Sequence, residues 1–346
     1  MTTRAVPPLR FAAVGLDHRH IYDQVQSLLD VGGECVGYWT DGDPKPLEGF
    51  VKRFPHVPRV ADRRALLDDV SVKLITCAAV FDQRADLAVE AMRAGKDFMA
   101  DKPGVTTFEQ LERVRRVQRE THRIWTVNFT ERFEVRAVTR ALELVRAGAI
   151  GEVVQVVCLG PHRENPHTRA PWFYDKRRYG GILADIGSHQ IDQFLMLTGA
   201  TDATIEYAHT GNVAHPDHPD YEDTGEMLLR AGRATGFVQV HWFTPDGLST
   251  WGDGRLFVTG TEGAIELRKY VDIAGRAGKD HLFLVDRRGM HYVDCRDAGL
   301  PYYANLVRDV HDRTETAMPQ AHAYKVCELA LKAQAMADRA GELSSG

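Results

Sequence analysis

Asp185, His189 and Asp192 stand at i, i+4 and i+7 in the run Gly180-Gly181-Ile182-Leu183-Ala184-Asp185-Ile186-Gly187-Ser188-His189-Gln190-Ile191-Asp192. On a helix that spacing puts all three on one face. Ile186, Ile191, Phe194 and Leu195 supply apolar contacts that would seat such a helix on a sheet. The pair Gly180-Gly181 predicts a tight turn or a close backbone approach. Asp101-Lys102-Pro103 follows an apolar strand much earlier in the chain. An imidazole held beside a carboxylate, with a lysine from another domain, is equipment for moving a proton to and from a substrate hydroxyl. Lys102, His189 and Asp185 are therefore the candidate catalytic residues. The rival reading is an amphipathic helix with a few polar residues on its wet face.

The elements that must position these groups alternate in type. Leu9–Gly15 is a short apolar run closed by glycine, followed by a helical pattern at Ile21, Val25, Leu28 and Leu29. Strands are expected at 34–39, 72–79, 97–100 and 124–129, with a short helix at Leu66-Leu67 and longer helices at 84–94 and 107–121. Strands alternating with helices at this spacing predict a doubly wound parallel sheet over residues 1–127. From 128 to 346 the character changes. A helix at 135–147 leads to a strand at 153–159, a polar and aromatic segment at 162–179, and then the motif helix. Strand-like runs follow at 203–209, 225–229, 234–243, 255–259, 264–269 and 281–286, before a helix at 324–340. Few helices join these runs, which predicts an α/β domain built on a large, mostly antiparallel open sheet.

Bulk composition narrows the function classes. The chain has 346 residues, 44% apolar and 26% charged, with a net charge of -5. That length favours two cores, and the charge offers no electrostatic footprint for nucleic acid or an anionic membrane. Met1–Arg10 carries no apolar leader core and no run reaches spanning length, so neither a signal peptide nor a membrane helix is expected. The five cysteines are scattered without a Cys-x-x-Cys pair, which suits buried thiols in the cytoplasm. His215, His218 and Glu222 sit in a proline-broken stretch better suited to a surface loop than to a metal site, and no metal is expected.

A strand ending in glycine and turning into a helix, with an acid closing the next strand, is how a dinucleotide is held. Gly15 and Asp41 are so placed. The remaining spacing departs from Gly-x-Gly-x-x-Gly: it reads Gly15-Leu16-Asp17-His18-Arg19-His20, with Asp17 and His20 at the second and third glycine positions. Ligand contacts are expected from His162, Arg163, Trp172, Tyr174 and Tyr179, since aromatic faces stack on C–H surfaces and arginines fork to hydroxyls or a carboxylate. His241–Arg255, with Trp242 and Trp251, would border the pocket or form a subunit contact.

Taken together, these segments resemble the Gfo/Idh/MocA (glucose-fructose oxidoreductase, inositol dehydrogenase) family over nearly the whole chain. The resemblance rests on the turn at Gly15, on Gly95-Lys96-Asp97 leading into Asp101-Lys102-Pro103 where the family writes Glu-Lys-Pro, on Asn128–Phe133, and on the Gly180–Asp192 signature. Arg84 stands where many members carry histidine. The resemblance implies that residues 1–127 are a dinucleotide-binding Rossmann domain, with a nicotinamide cofactor held by Gly15, Leu16, Asp17, His18, Asp41, Ala79, Arg84, Asp101, Lys102 and Asn128. Asp41 points to NAD, with NADP less favoured, because its charge would repel a 2′-phosphate. The resemblance further implies that Lys102 bonds the reacting hydroxyl, His189 exchanges its proton and Asp185 orients, on a secondary alcohol of a sugar or polyol. Two alternatives stay open: an enzyme using bound NAD for transient oxidation during elimination or glycoside cleavage, and a non-catalytic sensor of nucleotide or sugar. A homodimer or homotetramer is expected through the second sheet's exposed face, with Val238, Val240, Leu256 and Val258 as its apolar residues.

Overall fold

The computed structural model describes residues 8–344; Met1–Pro7, part of the expected leaderless start, lie outside the described residues. Strands β1 (Arg10–Val14), β2 (Glu34–Trp39), β3 (Leu74–Cys77), β4 (Asp97–Asp101) and β5 (Trp125–Asn128) form a wholly parallel sheet in the order β2-β1-β3-β4-β5. Every residue of β3, β4 and β5 is buried, as in strands covered on both faces. The helix Phe108–Thr121 shows how locally its ends are written. Thr107 caps it by accepting the Gln110 N–H at 3.2 Å, and His122 stops it in a left-handed conformation. Its Leu111, Val114 and Val117 are buried as their spacing requires.

The second sheet has eight strands: β6 (Val153–Pro161), β7 (Thr204–Gly211), β8 (Thr224–Ala231), β9 (Ala234–His241), β10 (Arg255–Gly260), β11 (Ala264–Arg268), β12 (His281–Asp286) and β13 (Gly289–Val293). Their order is β13-β12-β11-β10-β6-β9-β8-β7, antiparallel except for β6 beside β9. Burial alternates along most of these strands, so one face is covered and the other open. Val238, Val240, Leu256 and Val258 lie on the covered face, at most 1% exposed. The expectation that they would serve a subunit contact is corrected: strand parity turns them inward. The open face carries a different apolar row, in register from strand to strand: Tyr207 opposite Leu228, Leu228 opposite Phe237, Phe237 beside Val157, and Val157 opposite Phe257. Beyond Glu266 the row resumes with Phe283 opposite Tyr292.

The chain then returns to the first sheet. The helix Tyr302–Asp312, which the sequence reading passed over, places Tyr302 Oη 2.9 Å from Thr126 Oγ1, and Gln320 Oε1 accepts the Trp125 N–H at 3.0 Å. The helix Leu47–Arg53 and strand β13 were likewise not expected, and the final helix runs Gln320–Ser344, longer than the expected 324–340. Segment 162–179 is irregular as expected, broken into short turns of helix. The five cysteines are free and buried. Among the described residues no helix is long and apolar enough to cross a membrane.

Candidate active site

Between β1 and β3 the chain order changes direction, and the crevice at the carboxyl ends of strands flanking such a switch is where open α/β sheets hold ligands. Gly15 ends β1 there with φ +82°, and a Cβ on it would stand 2.4 Å from Ala79 Cβ. Only glycine fits that approach. The next residues are less permissive than a glycine-rich turn. The Leu16 N–H goes to Thr40 Oγ1 at 3.2 Å and the His18 N–H to Ala78 O at 2.8 Å, so two amides that could meet a pyrophosphate are spent internally. Side chains stand in their place: Asp17, His18, Arg19 and His20 line a cavity of about 450 Å³. Burial pushes the Asp17 carboxyl up to about 6 against the opposing pull of Arg84, so it can shed its charge beside an anion. Asp41 is exposed beyond the end of β2. This donor set fits a dinucleotide whose anionic centre is received by side chains at the turn and whose ribose hydroxyls reach Asp41.

Beneath the turn lies a buried charge centre. Asp101, with no exposed surface, has His20 Nδ1 at 3.0 Å, His18 Nδ1 at 3.4 Å and Arg84 Nη2 at 3.2 Å. Burial works against its charge, but His20 and Arg84 outweigh that and hold the carboxyl well below its usual range. Arg84, itself fully buried, also donates to Ala79 O at 2.8 Å, Lys102 O at 2.5 Å and Pro103 O at 3.0 Å, and packs on the Phe81 ring. Neither residue lines the cavity. Arg84 and Asp101, both expected among the cofactor contacts, pair with each other and form a clamp that fixes the two chain segments flanking the crevice. The ligand atoms of His18, His20 and Asp101 lie within 4.8 Å of one another, with Arg84 neutralising the same carboxylate.

The clamp aims Lys102. Its peptide to Pro103 is cis, and its ammonium donates to Asp185 Oδ1 at 2.8 Å, a pair 3% and 2% exposed. Asp185 ends a helical turn, Ile182–Asp185, which joins the helix Gly187–Thr198 at Ile186. Gly181 opens this turn with φ +94°, where a Cβ would run into Gln334 at 2.2 Å. His189, one turn on, is 1% exposed and lines the cavity, and its Nδ1 has no hydrogen-bond partner. Burial lowers its pKa to about 3, with Lys102 among the reinforcing charges and Glu131 opposing. Asp192 leaves the group. It accepts from Arg132 at 2.6 and 2.8 Å and lies 2.7 Å from His322 Nε2, and it does not line the cavity.

The cavity's far wall comes from the second domain. His162, Trp172, Trp242 and Trp251 line it, with His162 4.5 Å from the Trp251 ring and Trp172 5.0 Å from the Phe81 ring of the first domain. Burial drives the His162 imidazole well below its ordinary pKa. Arg163 also lines the cavity, but its Nη2 is committed to Pro245 O and Leu248 O at 2.7 and 2.6 Å. Tyr174 lies outside the cavity lining, its hydroxyl on Glu164 at 2.8 Å and its ring stacked on His218. Tyr179 is buried with its hydroxyl accepting from Glu222 N. Leu16 and Asn128 are fully buried, and Asn128 Oδ1 accepts from Tyr303 at 3.2 Å. His215 bridges Glu164 and Asp223 at 2.8 Å each. Sequence reasoning missed Glu131, whose carboxylate pairs with buried Lys269 at 2.6 Å on the cavity floor, and Arg169. Neither has a local sequence signal, because their partners are distant in the chain.

Two family descriptions match the chain: "Oxidoreductase family, NAD-binding Rossmann fold" over residues 12–129 and "GFO/IDH/MocA C-terminal domain" over residues 138–266. A crystal structure of a protein from Erwinia carotovora atroseptica, named only as an oxidoreductase, shares 46% identity and a TM-score of 0.92 over 95% of this chain and 98% of that one. Levoglucosan dehydrogenase of Pseudarthrobacter phenanthrenivorans is 26% identical over 47% of this chain and 43% of its own length. Inositol 2-dehydrogenase 2 of Saccharopolyspora erythraea is 26% identical over 71% of this chain and 69% of its own. The chain spans about half the length, or less, of the first curated relatives it matches.

Proposed function

The chain belongs to the Gfo/Idh/MocA family of oxidoreductases, and on that premise we propose that it is a dehydrogenase moving a hydride between NAD and a secondary alcohol of a sugar, polyol or related hydroxylated small molecule. The observation that carries the reading is one cavity that joins the β1 turn to Lys102 and a neutral, buried His189. When bound, the nicotinamide supplies hydride acceptance and return. The chain's own residues do the rest. Asp41 accepts from the ribose hydroxyls, and the side chains of 17–20 receive the anionic centre. Lys102 donates to the substrate oxygen and stabilises the charge that grows on it. His189 Nδ1 or Nε2 takes the hydroxyl proton, since a neutral imidazole is the accepting form. Asp185 positions the Lys102 ammonium. Trp172, Trp242 and Trp251 stack against C–H faces and keep water out.

The names of the curated relatives, an anhydrosugar dehydrogenase and a cyclitol dehydrogenase, support a carbohydrate-like substrate. A sensor without turnover is the second reading, favoured by the internally spent amides at Leu16 and His18. Single-turnover absorbance of the NAD-loaded protein mixed with a panel of sugars and polyols separates them. Net nicotinamide reduction supports the dehydrogenase and transient reduction the eliminating enzyme. Binding without reduction by any member supports the sensor.

A further inference from the structure

Charges inside the cavity are nearly all balanced. Lys102 has Asp185, Glu131 has Lys269, Arg53 has Asp23 at 3.6 Å and Arg163 has Asp246 at 3.5 Å. Among the described cations lining the cavity, Arg169 and Arg19 lack a carboxylate partner, and Arg19 stands exposed at the mouth. Arg169 is built in. Its guanidinium lies 4.1 Å from the Phe173 ring and 4.9 Å from the Trp242 ring. Its Nε donates to Glu164 O at 2.8 Å, and the backbone beside it is pinned by Lys45 Nζ on Arg169 O at 2.5 Å. Among the described residues, Nη1 has one further neighbour, His18 Nε2 at 3.5 Å, and Nη2 has no hydrogen-bond partner. Burial keeps His18 neutral, so the contact adds no second positive charge, and an imidazole in either state supplies no countercharge.

A largely enclosed guanidinium without a counter-ion is costly, and its planar fork matches a carboxylate in a bidentate pair. Resting on the dehydrogenase reading above, we propose that Arg169 is a substrate-binding residue and that the substrate is a hydroxy acid of the sugar-acid type. Its carboxylate lies on the Arg169 fork while its reacting hydroxyl lies at Lys102 and His189. The Phe173 and Trp242 rings, edge to face with each other, both pack on the guanidinium and fix where the fork lies, so the site selects a planar anion over a neutral hydroxymethyl group at the same carbon.

Calorimetric titration of the NAD-loaded protein with matched pairs tests this: D-gluconate against D-glucitol, D-galacturonate against D-galactose, and small 2-hydroxy acids against the corresponding diols. The acid of at least one pair should bind about 10- to 100-fold more tightly than its neutral partner, the range of a charge-assisted hydrogen-bonded contact. Arg169→Gln should erase that preference, and Arg169→Lys should restore only part of it. NAD is titrated into each variant in parallel. Equal binding of acid and neutral members by the unaltered protein, or no binding of any acid, overturns the proposal even if neither variant folds. So does an Arg169→Gln protein that loses NAD affinity while keeping its acid preference, which would give the fork to the cofactor's phosphates. Acid-selective binding that never reduces nicotinamide would sink the dehydrogenase reading and leave the carboxylate site standing.

Discussion

Replacing Lys102 by methionine should make His189 visible to pH titration. In the intact site His189 is held at about 3 chiefly by burial, with Lys102, His20 and Lys269 reinforcing and Glu131 opposing. That depression amounts to roughly 5 kcal/mol against the imidazolium. Methionine keeps the length of the lysine stem but removes its charge, and it strands the Asp185 carboxylate that now lies 2.8 Å from the ammonium. Loss of a like charge and exposure of an opposite one both favour the imidazolium, and a charge at such range moves a pKa by about 1–3 pH units. The His189 pKa should rise by that amount. Histidine ring NMR follows it, with the resonance identified by its loss in His189→Gln. The unaltered protein should show no His189 inflection between about pH 5 and 8, where ordinary histidines titrate. On a true substrate kcat/KM should then lack a His189 acid limb in that range, and Lys102→Met should lower turnover by about 10²–10⁴-fold while moving the limb upward. A His189 that titrates near 6.5 in the intact protein, or one unmoved by Lys102→Met, would refute the reasoning.

Arg84→Met removes one partner of a buried ion pair and three carbonyl contacts. It should cost about 3–5 kcal/mol in denaturant unfolding, and a loss below about 1 kcal/mol would show that the clamp is not needed. His18, His162 and His189 all have folded pKa values below the ordinary 6.5, so the unfolded chain binds more protons once pH drops through that value. Asp17, pushed up to about 6 by burial, and His215, raised against burial by its bonds to Asp223 and Glu164, hold protons in the folded state and offset part of this. Stability should therefore fall between pH 7 and 5, by no more than about 3 kcal/mol per pH unit at the steepest; equal unfolding midpoints at the two pH values would contradict this. NAD should bind more tightly than NADP, and Asp41→Ala should narrow the ratio; tighter NADP binding by the unaltered protein removes the argument. A homodimer or homotetramer should assemble over the open face of the second sheet, so Phe257→Glu should lower the mass seen by light scattering. A monomeric unaltered protein would end that proposal.

The parallel sheet was legible because its strands are short, continuously apolar and closed by turn residues, as at Leu74–Cys77. Strand β13 was not. Gly289–Val293 is exposed along nearly its whole length, so it turns no apolar side into a core, and its contacts, such as Tyr292 on His281 and Phe283, come from the neighbouring strand. In the helix Tyr302–Asp312 the stripe Tyr302, Leu306, Val310 was present at helical spacing but unread. Lys102, Asp185 and His189 could be singled out because each sits in a short motif. Asp192 belongs to the same motif yet leaves the site, since Arg132 and His322, 60 and 130 residues away, claim it. Arg84 was visible as an oddity, but its burial against Lys102 and Pro103 carbonyls depends on strand pairing that residue spacing does not encode.

Lys102 comes from the first sheet and Asp185 from beside the second, so their 2.8 Å contact is also a stitch across the crease between the two layers. The ammonium has three N–H donors and Asp185 takes one, so the others stay free for ligand oxygens while the stitch holds. Occupancy of the site and tightness of the crease are therefore coupled through a single nitrogen. The group that holds the substrate is the one that ties the layers together, so the two bonds support each other. Linkage makes the effect reciprocal: a change that pries the layers apart carries the ammonium away from the oxygen that His189 reaches and weakens the hold on substrate. The crease is thus a place where mutations far from the cavity can alter affinity without touching the ligand.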